Sequence, residues 1–236
     1  VFAALFNLDS RFFHSAITKK FKAKGEEVVE NNIACFDMGF NNAVYNYGER
    51  AVEGVTAPRE NYNNGKILIS GNTAIATGAL DAGIELYFGY PITPATPVME
   101  FLAKALPKKG GKCMLMEDEI ASINAIIGAS LAGAKSMTAT SGPGFSLMQE
   151  SIGHAHMMEI PLVIVNVQRV GPSTGMPTLP AQGDILQCKY GSHGDYFPIV
   201  FYPNSVAELY EFTFNAFNAA EESLSPVILL SDGYVG

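Results

Sequence analysis

The sequence predicts an α/β domain, a parallel sheet covered by helices on both faces, preceded by a short helical segment. Three observations carry that expectation. Short apolar runs recur after residue 66, and stretches with helical periodicity fall between them, which is the pattern of βαβ units. Four successive runs then end in chemically unusual sequence. In an open parallel sheet, ligands bind beyond the carboxyl ends of the strands.

Composition narrows the class. The 236 residues carry 15 Lys and Arg against 23 Asp and Glu, a formal charge of −8, which argues against nucleic acid or an anionic membrane as the main partner. Apolar residues make up 48%, so the chain is globular. Only 16% is charged where about 25% is usual, so part of the surface is expected to lie under other chains. The length suggests one full domain and a fragment of another. No stretch reaches the roughly 18 uncharged apolar residues of a membrane span, and Ala121 to Ala134 reads as a tightly buried helix. The opening residues are neither a Met start nor a signal peptide, and Gly236 follows an apolar run. The expectation is a piece of a longer cytoplasmic polypeptide. Cys35, Cys113 and Cys188 lie far apart with no Cys-x-x-Cys spacing, so no disulfide framework, zinc site or iron–sulfur site is expected.

Taken in order, residues 1–47 predict two helices. Phe12, Phe13, Ala16, Ile17 and Phe21 line one face after Asp9 and Ser10, either of which can cap the start. Gly25 interrupts, and Val29, Ile33, Phe36, Phe40, Val44 and Tyr47 continue the period. Lys19, Lys20, Lys22 and Lys24 read as a solvated face complementing the helix dipole. Two helices bury little core, so this segment is expected to be the tail of a larger domain. Residues 48–65, with Pro58, Asn61, Asn63 and Asn64, are linker by composition. Residues 66–236 form the α/β domain, with strands expected at Ile84–Phe88, Cys113–Met116, Ser136–Thr140, Leu162–Val167, Ile199–Phe201 and Val227–Leu230. Helices are expected at about 72–82, 95–105, 119–133, 145–157 and 205–222.

The strand ends carry the chemistry, and each also has a plain reading. Tyr90-Pro91-Ile92-Thr93-Pro94 alone is a proline turn opening a helix. Glu117-Asp118-Glu119 alone is acidic sequence at a helix N-terminus. Ser141-Gly142-Pro143-Gly144 suits a tight turn whose free N–H groups can hold an anion. It is not a dinucleotide fingerprint, which would need glycine at Leu147, nor a serine-hydrolase elbow, and Gly111-Lys112 makes no Walker loop. Arg169 follows an apolar run, so its guanidinium is expected at the sheet edge, placed to fork onto a carboxylate. The segment from Gly171 to Gly183 holds three glycines, three prolines and two threonines, and an irregular stretch of about a dozen residues is more often functional than decorative. His154 and His156 point to different sides of a helix and cannot chelate one metal well; His14 reads as core or solvated. His193, in a Gly-Ser-His-Gly loop, is open to a substrate or cofactor contact.

Together, Gly71-Asn72-Thr73-Ala74, Tyr90–Pro94, Met116-Glu117-Asp118-Glu119-Ile120-Ala121-Ser122, Thr140–Gly144 and Gln168–Thr178 occur in one order. The set closely resembles the α subunit of 2-oxoacid:ferredoxin (acceptor) oxidoreductases, especially the 2-oxoglutarate-type enzymes. The resemblance covers residues 66–236, and residues 1–47 resemble the end of the family's γ domain more loosely. It implies a thiamine diphosphate pyrimidine-binding domain and conversion of a 2-oxoacid and coenzyme A to acyl-CoA and carbon dioxide, with electrons passing to ferredoxin. By the same resemblance Glu119 activates the aminopyrimidine and Thr93 contacts the reacting centre. Pro91, Ile92 and Gly142 border the cofactor, while Arg169 holds the 2-oxoacid carboxylate and Thr174 and Thr178 bind the substrate by donating hydrogen bonds nearby. The Mg²⁺–diphosphate site and a [4Fe-4S] cluster are implied on a partner β subunit, which leaves no metal site on this chain. Asp232-Gly233 reads as an ordinary turn. Competing readings are an acetolactate-synthase-type thiamine enzyme, which shares the Thr-Ser-Gly-Pro-Gly turn, a dinucleotide-binding module, and a non-catalytic assembly subunit.

Overall fold

The computed structural model describes residues 1–48 and 65–236. Apart from its two end glycines, the linker expected over 48–65 lies outside the described residues. The chain divides into two compact units, Val1–Ile67 and Leu68–Gly236.

The first unit is helical: α1 (Phe2–Leu5), α2 (Ser10–Phe21), a 3-10 turn and α3 (Glu26–Tyr47). Asp9, not Ser10, is the cap of α2, and its carboxylate accepts from Arg11 N at 2.9 Å. Phe13 stacks on Phe36 at 5.2 Å, and His14 Nε2 meets Asp37 Oδ1 at 2.7 Å across α2 and α3. Among the described residues of these helices only Ala3 and Ala43 are buried, so packing here contributes little stability of its own.

The second unit runs α4 (Gly71–Asp81), β1 (Leu86–Gly89), α5 (Thr96–Ala105), β2 (Lys112–Leu115), α6 (Glu119–Leu131), β3 (Ser136–Thr140), α7 (Gly142–Leu147), α8 (Gln149–Met157), β4 (Leu162–Gln168), α9 (Ile185–Tyr190), β5 (Ile199–Phe201), α10 (Val206–Ser223) and β6 (Pro226–Asp232). The strands form one parallel sheet in the order β2-β1-β3-β4-β6-β5. Alternation along β4 shows why both faces are covered. Val163, Val165 and Val167 join the core under α4, α5 and α10, while Leu162 and Ile164 join the core under α6 and α8. No helix among the described residues is long and apolar enough to cross a membrane.

Several boundaries differ from expectation. The helix read over 145–157 is two helices, because Pro143 in the first turn lets α7 start at Gly142 and a break follows at Met148. Strands β4 and β6 run past their apolar residues into Gln168 and Asp232, both buried. Helix α9 went unread, being too short for a periodic signal.

Two thiols, Cys188 buried and Cys113 half-buried, give a pH expectation. Burial pushes the Cys188 thiol up to about 12 and the Cys113 thiol up to about 11, so both stay protonated when folded at neutral pH. Unfolded thiols ionise near 9, so this contribution to stability is complete below that pH and is lost as pH rises through the folded values. The thermal midpoint should therefore fall between pH 9 and 11, and less steeply in Cys188→Ala relative to that variant's own neutral-pH value. Equal slopes would show that other groups set the alkaline limit.

Candidate active site

The sheet order turns back between β1 and β3, and the crevice at such a switch point opens at the carboxyl ends of the strands. The turns after β1 and β3 lie there, with the start of α6 beside them. Strand β2 delivers Glu117, Asp118 and Glu119 to this edge, and the structure separates their roles. Glu117 is exposed. Asp118 caps α6, its Oδ1 accepting from Ala121 N at 2.7 Å. Glu119 is 6% exposed at the first turn of α6, and no side-chain hydrogen bond from the described residues occupies its carboxylate.

The Thr140–Gly144 turn packs directly against that carboxylate. A Cβ at Gly144 would stand 2.5 Å from Glu119 Oε1 and would overlap Thr140 Oγ1. Glycine here is a requirement of close approach and leaves Glu119 an unshared acceptor. Gly142 has more room: a Cβ there would lie 2.9 Å from Asp184 Oδ2, the end of a side chain. Asp184 is held by Asn166, whose buried Nδ2 donates to Oδ2 at 3.0 Å, and by Gln168 Oε1, which accepts from Asp184 N at 2.9 Å. Gly142, Arg169, Gly171 and Asp184 border a cleft of about 220 Å³.

Arg169 follows β4 at the sheet edge, as expected, but its fork meets backbone carbonyls. It is 7% exposed, and its guanidinium is already engaged. Nη1 donates to the Thr93 carbonyl at 2.7 Å and Nη2 to the Thr174 carbonyl at 2.9 Å, while buried Nε has no partner. Arg169 therefore gathers Thr93 and Thr174 through their backbones. The side chains of Thr93, Thr174 and Thr178 are on exposed residues, and no hydrogen bond among the described residues joins Thr178 to the others. Pro91 is exposed and Ile92 packs against the core. The loop after β4 is ordered by its own backbone: Val170 and Met176 bridge, and Val170 N donates to Leu179 O at 3.0 Å. Sequence reasoning missed Gly144, Asn166 and Asp184 as neighbours. The glycine was visible in the motif, but Asn166 and Asp184 carried no local signal.

His156 is half-buried against Tyr196, with ring centroids 4.5 Å apart, and burial lowers its pKa. With His154 and His193 it lines a groove away from the crevice. No group of three or more His, Cys, Asp or Glu suited to a metal ion occurs among the described residues.

A parallel sheet with a buried, unshared carboxylate at its switch point makes this an α/β domain with a candidate ligand site at the carboxyl ends of its strands. Residues 77–236 match the family model described as pyruvate flavodoxin/ferredoxin oxidoreductase, thiamine diphosphate-binding, and the chain belongs to that family. Among relatives, 2-oxoglutarate synthase subunit KorA of Methanocaldococcus jannaschii is 57% identical over 168 residues, 71% of this chain and 46% of that protein. The 2-oxoglutarate oxidoreductase subunit KorA of Mycobacterium tuberculosis is 39% identical over 234 residues, 93% of this chain and 34% of that protein. A solved structure of 2-oxoglutarate:ferredoxin oxidoreductase from Magnetococcus marinus, with 2-oxoglutarate, coenzyme A and succinyl-CoA bound, matches with a TM-score of 0.86 at 42% identity. That match covers 99% of this chain and 40% of that one. This chain thus spans about half the length, or less, of the relatives it resembles.

Proposed function

We propose that this chain supplies the pyrimidine half of a thiamine diphosphate site to a cytoplasmic 2-oxoacid:ferredoxin oxidoreductase, with 2-oxoglutarate the favoured substrate. A partner β subunit would hold the diphosphate with its Mg²⁺ and the [4Fe-4S] cluster, and residues 1–47 would be the tail of a γ-type domain. The observation that carries the reading is Glu119: a buried carboxylate, unshared among the described residues, with Gly144 clearing the space beside it. The relatives named for 2-oxoglutarate support the substrate class.

When bound, thiamine diphosphate supplies a nucleophilic thiazolium carbon and an electron sink for decarboxylation. Glu119 would hold a proton at the pyrimidine ring nitrogen and so tune the bound ring for acid–base work. Burial strengthens that hydrogen bond by excluding competing water. Pro91, Ile92 and Gly142 shape the border of the cofactor site, with Thr93 at the reacting centre. Arg169 fixes the loop that carries Thr174 and Thr178, and its remaining N–H groups are available to a substrate carboxylate.

The test is reconstitution with the partner subunit and a panel of 2-oxoacids, read as CoA-dependent carbon dioxide release. 2-Oxoglutarate should give the highest kcat/KM, and carboligation without CoA would point to the acetolactate-synthase-type alternative. Arg169→Lys sharpens the assignment. Lys keeps one charge but cannot reach both carbonyls, so kcat/KM for the 2-oxoacid should fall about 10–100-fold, with CoA kinetics changed less. A lower thermal midpoint is also expected, because the buried Arg169 loses at least one charge-assisted bond to a carbonyl, worth about 1.5–3 kcal/mol. Loss of stability without a selective 2-oxoacid effect would remove Arg169 from substrate binding.

A further inference from the structure

We propose that Asp232 is a positioning residue, the anchor of a closed ring of hydrogen bonds that sets the Thr93–Pro94 turn against the loop after β4. The inference rests on the functional reading above. Asp232 ends β6 at 4% exposure, and its carboxylate takes three donors where an ordinary turn was expected. Gln182 Nε2 reaches Oδ2 at 2.7 Å, while Tyr234 N and Val235 N reach Oδ1 at 2.7 and 3.2 Å. The turn so fixed is tied twice more: Gly233 N donates to Gln168 O at 3.1 Å, and Val235 O accepts from Gly71 N at 2.6 Å.

From Gly71 the ring continues to Asn72, which is 1% exposed and donates Nδ2 to the Pro94 carbonyl at 2.9 Å. The adjacent Thr93 carbonyl takes Arg169 Nη1, and Arg169 Nη2 takes the Thr174 carbonyl. The loop returns through Gln182 to Asp232, closing the circuit. The Gly71-Asn72-Thr73-Ala74 motif, which the site leaves without a role, thereby acquires one. Gly71 and Asn72 link the end of β6 to the proline-rich turn. The Asp232 side chain joins three of the ring's bonds, more than any other member, so it is the member whose loss opens the ring. An opened ring leaves Arg169 alone to tie Thr93 to the loop, and both loosen while the sheet persists.

The test uses the assembled enzyme and three variants. Asp232→Ala should raise the 2-oxoacid KM about tenfold while the CoA KM stays within about twofold. Asp232→Asn should recover most of the loss, since Asn still accepts from the backbone and the Gln182 amide can turn to accept from it. Gln182→Ala, at an exposed position, opens the ring at one bond without burdening the fold and should shift the 2-oxoacid KM in the same direction by about threefold. Amide exchange supplies a readout independent of turnover: Val170 and Met176 should lose protection in Asp232→Ala and keep it in Asp232→Asn. Unaltered exchange at both amides, or an equal effect on both substrates that merely tracks thermal stability, would overturn the ring. A wild-type complex inactive on every 2-oxoacid would overturn the functional reading, with the exchange measurement still deciding the ring.

Discussion

Glu119→Gln is expected to lower kcat in the assembled enzyme by about 10²–10⁴-fold, the usual worth of a positioned acid–base group. Gln keeps the size and one hydrogen bond but cannot exchange a proton with the pyrimidine nitrogen. The effect should fall on kcat and leave cofactor affinity largely intact if, as proposed, the diphosphate is held by the partner. Of the three acids after β2, Asp118 is committed to capping α6 and Glu117 is exposed. Near-normal turnover in the Gln variant would therefore leave no equivalent carboxylate in that segment.

Gly144→Ala is expected to lower activity nearly as far without touching a titratable group. Its methyl would lie inside contact distance of both Glu119 Oε1 and Thr140 Oγ1, so the carboxylate must move. Displacement of a reacting group by about 1 Å costs on the order of 10²-fold in rate, and forced overpacking about 1–3 kcal/mol in stability. Steady-state kinetics with a thermal melt checks both. An Ala variant with wild-type kcat would show that the carboxylate has room the structure does not give it.

The sheet was legible because its strands are apolar runs bounded by turn residues, and Ser136–Thr140 and Ile199–Phe201 fall where expected. Strands ending on buried polar residues were not. Gln168 looks like a solvent residue until Ser231 O and Asp184 N are seen to satisfy its amide. Glu119 could be picked out of the acidic triplet because a motif surrounded it. Asp232 could not, since Gln182 lies 50 residues away in sequence. Arg169 was placed at the right strand end but with the wrong surroundings: sequence cannot show that two backbone carbonyls wait for its fork. Pairing across distant turns is a tertiary fact, and short-range patterns carry none of it.

The central claim is that this chain's carboxylate activates a cofactor held chiefly by another subunit. Hydrogen–deuterium exchange at the thiazolium C2 of thiamine diphosphate, measured in the assembled complex without substrate, tests it most directly. The wild-type complex should exchange that proton far faster than free cofactor, and Glu119→Gln should lose the acceleration by about 10²-fold or more with cofactor still bound. Exchange equally fast in wild type and Glu119→Gln would contradict the account.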